Sequence, residues 1–178
     1  MPTPSRGLLV VFVMALPLCA QSQKHGVGRT PTQEEIRALG IAVAPDGKGL
    51  PEGSGTADEG RNLFAARCAK CHGEKGEGDV GPALVGGIGS LATAKPRKTV
   101  GSFWPYSTSV WDYVNRAMPF NQPGALTHPQ VYSAVAYILF LNGIVGEHET
   151  LNAKTLPKIR MPNRDGFVPD PRPDVRRK

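Results

Sequence analysis

A chain of 178 residues, 40% of them hydrophobic, is long enough for one small domain with its own core and too short for several. The formal net charge of +6 comes mainly from residues 158–178, which end Arg176-Arg177-Lys178; there is no basic helix and no aromatic–basic interleaving, so a nucleic-acid footprint is excluded. Only three cysteines are present, too few for a disulfide framework of the kind that holds small secreted domains together.

The chain opens with Arg6 and an apolar run over residues 7–18 (GLLVVFVMALPL), which reads as a signal peptide cleaved after Ala20. That run is too short to span a bilayer comfortably and contains Pro17, and no second long apolar run follows. The expectation is an exported, periplasmic protein with a signal peptide over 1–20 and no membrane span in the mature chain. A lipidated Cys19 fits less well, because Leu18 is larger than the small residue expected before such a cysteine. Residues 21–55, rich in Gly, Pro and polar residues, read as an N-terminal extension. One short helix is signalled there by Thr32 and Glu35 at capping-box spacing and closed by Gly40. Residues 44–55, with Pro45-Asp46-Gly47-Lys48-Gly49, read as loop. Thr56 and Glu59 form a second capping box, and Ala57, Gly60, Phe64 and Ala65 are expected to share one face of the helix that runs into Cys68.

At the end of that helix stands Cys68-Ala69-Lys70-Cys71-His72. Two residues between the cysteines place both thiols on one helical turn at the spacing of two haem vinyl groups, and the adjacent histidine can then ligate the iron from below. A redox C-x-x-C needs no adjacent His, and a zinc site needs two further ligands. The reading is one covalently attached haem c, with Cys68 and Cys71 as attachment points and His72 as proximal ligand. Residues 73–106 read as loops around the haem edge. A helix over 108–117 presents Trp111 and Val114 on the side of Met118 and stops at Pro119. A last helix starts at Thr127, with Gln130 in the capping-box position and Pro129 in the first turn. Val131, Ala134, Val135, Ile138 and Leu139 form its apolar stripe, and Asn142-Gly143 closes it. From Pro157 the chain is Pro-rich and expected to lie extended on the surface. The predicted organisation is a haem domain over 56–146 and a basic tail over 147–178, which either aids solubility or docks to an acidic partner.

These features together resemble the class I cytochrome c family. Gly60 and Phe64 stand eight and four residues before Cys68, as that family places the glycine and aromatic that cross the C-terminal helix, where Tyr137 would meet them. Gly81-Pro82-Ala83-Leu84 is similar to the family's G-P-x-L segment, in which the proline carbonyl accepts a hydrogen bond from the proximal histidine. The resemblance implies an all-α class I cytochrome c fold with Pro/Gly-rich loops and N- and C-terminal extensions. It also implies Met118 as the sixth ligand, since Met118 lies between the haem motif and the last helix. Met161 is the alternative, though it falls beyond the last helix; His25, His128 and His148 are further possible ligands. Phe103, Trp104, Tyr106, Trp111 and Tyr113 either wall the haem, with Trp or Tyr donors to a propionate, or serve as ordinary packing.

The segments VGSFWPYSTSVWDYVNRAM and VYSAVAYILFLNGIV, with GVGRTPTQEEIRALGIAVAPDGKGLPEGSGT before and MPNRDGFVPD after, resemble the SoxD-type cytochrome subunits of sulfur and sulfite dehydrogenases. That resemblance implies a molybdenum-cofactor dehydrogenase subunit as electron donor, a downstream cytochrome or oxidase as acceptor, and no bond-making chemistry in this chain. Some SoxD-type proteins carry two haem domains where this chain has one motif, which leaves a sulfur-oxidation complex and a simpler sulfite dehydrogenase both open. The alternatives are a free shuttle, a haem subunit of another dehydrogenase such as one for alcohols, and an open-site haem enzyme or gas sensor, which requires that Met118 not ligate.

Overall fold

The computed structural model describes residues 27–172. The signal peptide expected over 1–20, with Cys19, together with His25 and the terminal Arg176-Arg177-Lys178, lies outside the described residues. The chain divides into two units, one up to Ala38 and one from Leu39. In the first, helix α1 (Gln33–Leu39) follows from its capping box: the Glu35 N–H donates to Thr32 Oγ1 at 3.2 Å and the Thr32 N–H to Glu35 Oε2 at 2.8 Å. The Arg29 guanidinium, helped by that backbone donor, holds the Glu35 carboxyl down at about 2. No residue of α1 is buried, so these local bonds define a helix too short to persist on propensity.

The second unit is helical, with β1 (Ser54–Gly55), α2 (Ala57–Arg67), α3 (Ala69–His72), α4 (Val100–Phe103), α5 (Ser107–Ala117), α6 (His128–Leu141), β2 (Leu151–Asn152) and a 3-10 turn over Leu156–Lys158. The all-α expectation holds apart from one two-residue antiparallel ladder. It sets Ser54 against Asn152 and Gly55 against Leu151, tying the chain before α2 to the chain after α6. Thr56 and Glu59 cap α2 reciprocally. Ala57, Gly60 and Phe64 are buried, whereas Ala65 is exposed. At 100° per residue Ala65 lies more than a quarter-turn beyond Phe64, and the half-buried Leu63 extends the buried arc the other way.

α6 is the centre of the core. Residues 131–139 are all buried, so the expected stripe is in fact burial on every side, between α2, α5 and the β ladder. α2 crosses it where Gly60 lies against Ser133 and Tyr137, with the Phe64 and Tyr137 rings 5.3 Å apart. On another side α5 contributes Val110, Trp111 and Val114. Its buried Asp112 accepts the Val43 N–H at 3.1 Å and pairs with Arg116, fixing the segment after α1 to the domain. The Tyr132 hydroxyl donates to the Pro51 carbonyl at 2.9 Å, and burial pushes that phenol up to about 12. Tyr132→Phe should therefore lower stability by about 1 kcal/mol in urea unfolding, the worth of one such bond. An unchanged midpoint would mean that Pro51 exchanges its donor for water at no cost.

Two segments depart from expectation. Within 73–106 a short helix, α4, forms because Thr99 and Ser102 cap it reciprocally, with serine standing where Glu or Gln usually signals the motif. The Pro-rich stretch after Pro157 does not lie wholly on the surface: Met161 is buried in the core beside Leu151 and Leu156 as core members, and these apolar anchors hold it down. No helix among the described residues is long and apolar enough to cross a membrane.

Candidate functional site

Cys68 ends α2, donating its N–H to the Phe64 carbonyl at 2.8 Å, and α3 starts at the next residue. The N–H groups of Cys71 and His72 both return to the Cys68 carbonyl, at 3.1 and 3.0 Å, so all three motif side chains share one turn. Cys68 and Cys71 are not joined in a disulfide; Cys68 is half-buried and Cys71 exposed. Burial pushes the Cys68 thiol up to about 11. A redox nucleophile requires the opposite shift, toward thiolate. Among the described residues no three His, Cys, Asp or Glu side chains cluster as a metal cage, so the zinc reading lacks its other ligands.

His72 is buried, and its Nδ1 stands 2.7 Å from the Pro82 carbonyl. A carbonyl can only accept, so Nδ1 carries the proton and Nε2 is the nitrogen available to a metal. The loop over 76–86 folds around the imidazole. The Gly78 N–H donates to the His72 carbonyl at 2.7 Å, the Gly81 N–H to the Cys71 carbonyl at 2.8 Å, and the Leu84 N–H to Gly76 at 2.8 Å. A Cβ on Gly81 would come 3.3 Å from the ring and 3.0 Å from the Cys71 carbonyl, so this glycine permits the approach that brings Pro82 onto Nδ1. Sequence reasoning missed the outer support of this loop. Thr99 Oγ1 donates to the Gly86 carbonyl at 2.5 Å and Ser102 Oγ to the Arg97 carbonyl at 2.6 Å. Isolated Thr and Ser residues in a loop give no signal of such bonds.

Met118 caps α5, its N–H on the Val114 carbonyl at 3.1 Å and its side chain half-buried. Cys68, Leu84, Trp104 and Met118 all rim the same core. Met161, by contrast, is 1% exposed within that core. His128 is exposed at the start of α6, its ring 6.0 Å from Trp111, and His148 is exposed as well. The five aromatics separate by environment. Phe103 packs on Phe167 at 5.3 Å under Lys98, and Tyr106 lies beneath Arg164 at 4.4 Å, so both face the C-terminal segment. Trp104 meets the exposed Tyr113 edge to face at 5.6 Å.

Trp111 differs from these. Its indole N–H is buried and has no hydrogen-bond partner, alone in this among the buried side-chain polar atoms of the described residues. A buried donor left unpaired costs about 1–3 kcal/mol, so an acceptor brought by a bound group fits here. Two thiols on one turn beside an imidazole held by Nδ1 fit a macrocyclic cofactor with a central metal, and the unpartnered Trp111 indole N–H suits a carboxylate on such a group.

Comparison with known proteins gives three findings. A family model described as Cytochrome c matches residues 57–142. The solved structure of the sulfane dehydrogenase SoxCD from Paracoccus pantotrophus superposes with a TM-score of 0.76 and 45% identity, over 85% of this chain and 75% of that one. A thiosulfate dehydrogenase of Psychrobacter arcticus is 29% identical over 112 residues, 57% of this chain; the chain spans only 32% of that relative's length.

Proposed function

We propose, from the premise that the chain belongs to the cytochrome c family, that it is the exported, single-haem electron acceptor of a molybdenum-dependent sulfur dehydrogenase. Electron transfer is its role at the coarse level, and haem c supplies the one-electron couple that such transfer requires. Cys68 and Cys71 would hold the group covalently, and His72 would offer Nε2 to its iron. Pro82 keeps the imidazole oriented and more basic through the 2.7 Å bond on Nδ1. Met118 would offer the iron a neutral thioether, which favours the ferrous state and raises the potential. The unpartnered Trp111 indole would donate to a carboxylate of the group. His72 and Met118 both stand at helix ends, so little of the chain would have to move when the charge changes. No residue is assigned a role in bond making.

The observation that carries the finer reading is the 45% identity to the SoxCD sulfane dehydrogenase over 85% of the chain. It favours a sulfane-sulfur donor over sulfite, and a separate catalytic subunit as the source of electrons. The test is the haem spectrum of the complex purified from its native host, before and after each substrate is added. Reduced bands are expected with a sulfane-sulfur substrate, and only while the molybdenum subunit is present; bands with sulfite instead would move the assignment to a sulfite dehydrogenase. Reduction by dithionite alone would remove the sulfur assignment and leave the carrier. Reduction by thiosulfate alone would shift the assignment toward the activity named for the Psychrobacter relative. Loss of haem on denaturation in acid acetone would overturn covalent attachment itself.

A further inference from the structure

We infer that Asn142 is a positioning residue for His72: its carboxamide fastens the loop that carries Pro82, and thereby keeps the Pro82 carbonyl on the imidazole. The inference rests on His72 being the iron ligand, as proposed above. Asn142 follows α6, and its Nδ2 donates to the Ile138 carbonyl at 2.9 Å and to the Leu84 carbonyl at 3.2 Å. Its Oδ1 accepts the Gly86 N–H at 3.2 Å. A helix cap needs only the bond to Ile138. The other two reach 58 and 56 residues back along the chain, to the loop around His72. They also fix the amide's sense, because a flipped carboxamide would set oxygen against two carbonyls and NH2 against an N–H.

The far side of this loop is gripped by α4. The Val100 N–H donates to the Leu84 carbonyl at 3.2 Å, beside the Asn142 bond, and Thr99 holds Gly86. α4 also makes room for the carboxamide: a Cβ on Gly101 would lie 2.2 Å from Asn142 Oδ1. Residues 84–86 are thus clamped between the end of α6 and the start of α4. Pro82 is two residues upstream of the clamp, with a fixed φ and with Gly81 already bonded to Cys71. The free play of the Pro82 carbonyl is accordingly set by how firmly 84–86 is held. A loosened carbonyl leaves Nδ1–H open to solvent and the imidazole less basic, which disfavours the ferric state.

The clamp can be released in two independent ways. Asn142→Ala removes the carboxamide. Gly101→Ala keeps the carboxamide but pushes it aside, since the added Cβ would meet its Oδ1 at 2.2 Å and its Cγ at 2.6 Å. In the reduced holoprotein, both should speed solvent exchange of the His72 Nδ1 proton roughly tenfold, as read by NMR, and raise the reduction potential. The double variant should exceed neither by much, because both act on one contact. Tyr132→Phe, which loses a comparable bond to Pro51, is the control for stability alone and should leave both readouts unchanged. Exchange and potential in Asn142→Ala equal to those in Tyr132→Phe, with stability lowered alike, would reduce Asn142 to a helix cap and overturn the inference. An oxidised wild-type holoprotein whose His72 ring shows no iron-shifted resonances would instead defeat the ligand reading, and the inference with it; that failure is visible before any variant is made.

Discussion

Met118→Ala should lower the reduction potential by on the order of a tenth of a volt or more, within the roughly 0.8 V range that axial ligands span, and should let carbon monoxide bind the reduced protein. A thioether is soft and uncharged and therefore stabilises ferrous over ferric iron; an alanine leaves water or nothing in its place. Met161→Ala is the contrasting experiment. With 1% exposure in the core, Met161 should behave as packing, losing about 2–5 kcal/mol with little change in potential. Potentiometric titration, carbon monoxide difference spectra and urea unfolding of the two variants separate ligand from filler. A potential that moves in Met161→Ala and stays put in Met118→Ala would exchange the two roles. Carbon monoxide uptake by the unsubstituted protein would point to an open iron site, and with it to a haem enzyme or gas sensor.

The readable part of this chain is the part specified locally. The capping boxes at Thr32/Glu35 and Thr56/Glu59 and the Gln130 side chain on the Thr127 N–H appear where the residue types demand, because the bonds join positions three apart. The motif at Cys68, Cys71 and His72 is likewise one turn of helix, and the five residues that compose it are adjacent in the chain. The His72–Pro82 bond spans ten residues and was reached through family resemblance, not through periodicity. What sequence patterns left dark is long-range and polar. The bonds from Asn142 to Leu84 and Gly86, from Asp112 to Val43 and from Tyr132 to Pro51 span 56 to 81 residues, and a single Asn, Asp or Tyr carries no mark of its partner. Burial escapes sequence patterns for a related reason. A helical stripe on α6 suggested one packed face, yet α2, α5 and the β ladder surround it. Met161 lies in the Pro-rich stretch expected on the surface, yet it is buried in the same core as Leu151 and Leu156. Proline content describes the backbone and says little about which side chains point inward.

Gly60→Ala is expected to destabilise the folded protein by about 3 kcal/mol or more, against the usual sign for such a change in a helix. Glycine to alanine within a helix ordinarily gains up to about 1 kcal/mol through propensity and reduced chain entropy. Here the added Cβ would sit 2.0 Å from the Ser133 carbonyl oxygen and 2.8 Å from Tyr137 Cβ. The obstacle is backbone in the middle of α6, buried on every side, so it cannot swing away as a side-chain end can. Relief requires α2 and α6 to separate by more than an ångström, which unpacks Phe64 from Tyr137 and draws Arg61 from its place over the same ring. Overpacking of this kind typically costs 1–3 kcal/mol, and more where backbone must shift, so it outweighs the propensity gain. Because Cys68 is the C-cap of α2, the same displacement would carry the attachment turn away from the loop at Pro82. The variant should therefore lose stability and haem incorporation together. Chemical unfolding and the haem-to-protein absorbance ratio of purified protein measure the two. A Gly60→Ala protein as stable as the parent would mean that the two helices do not cross at this residue.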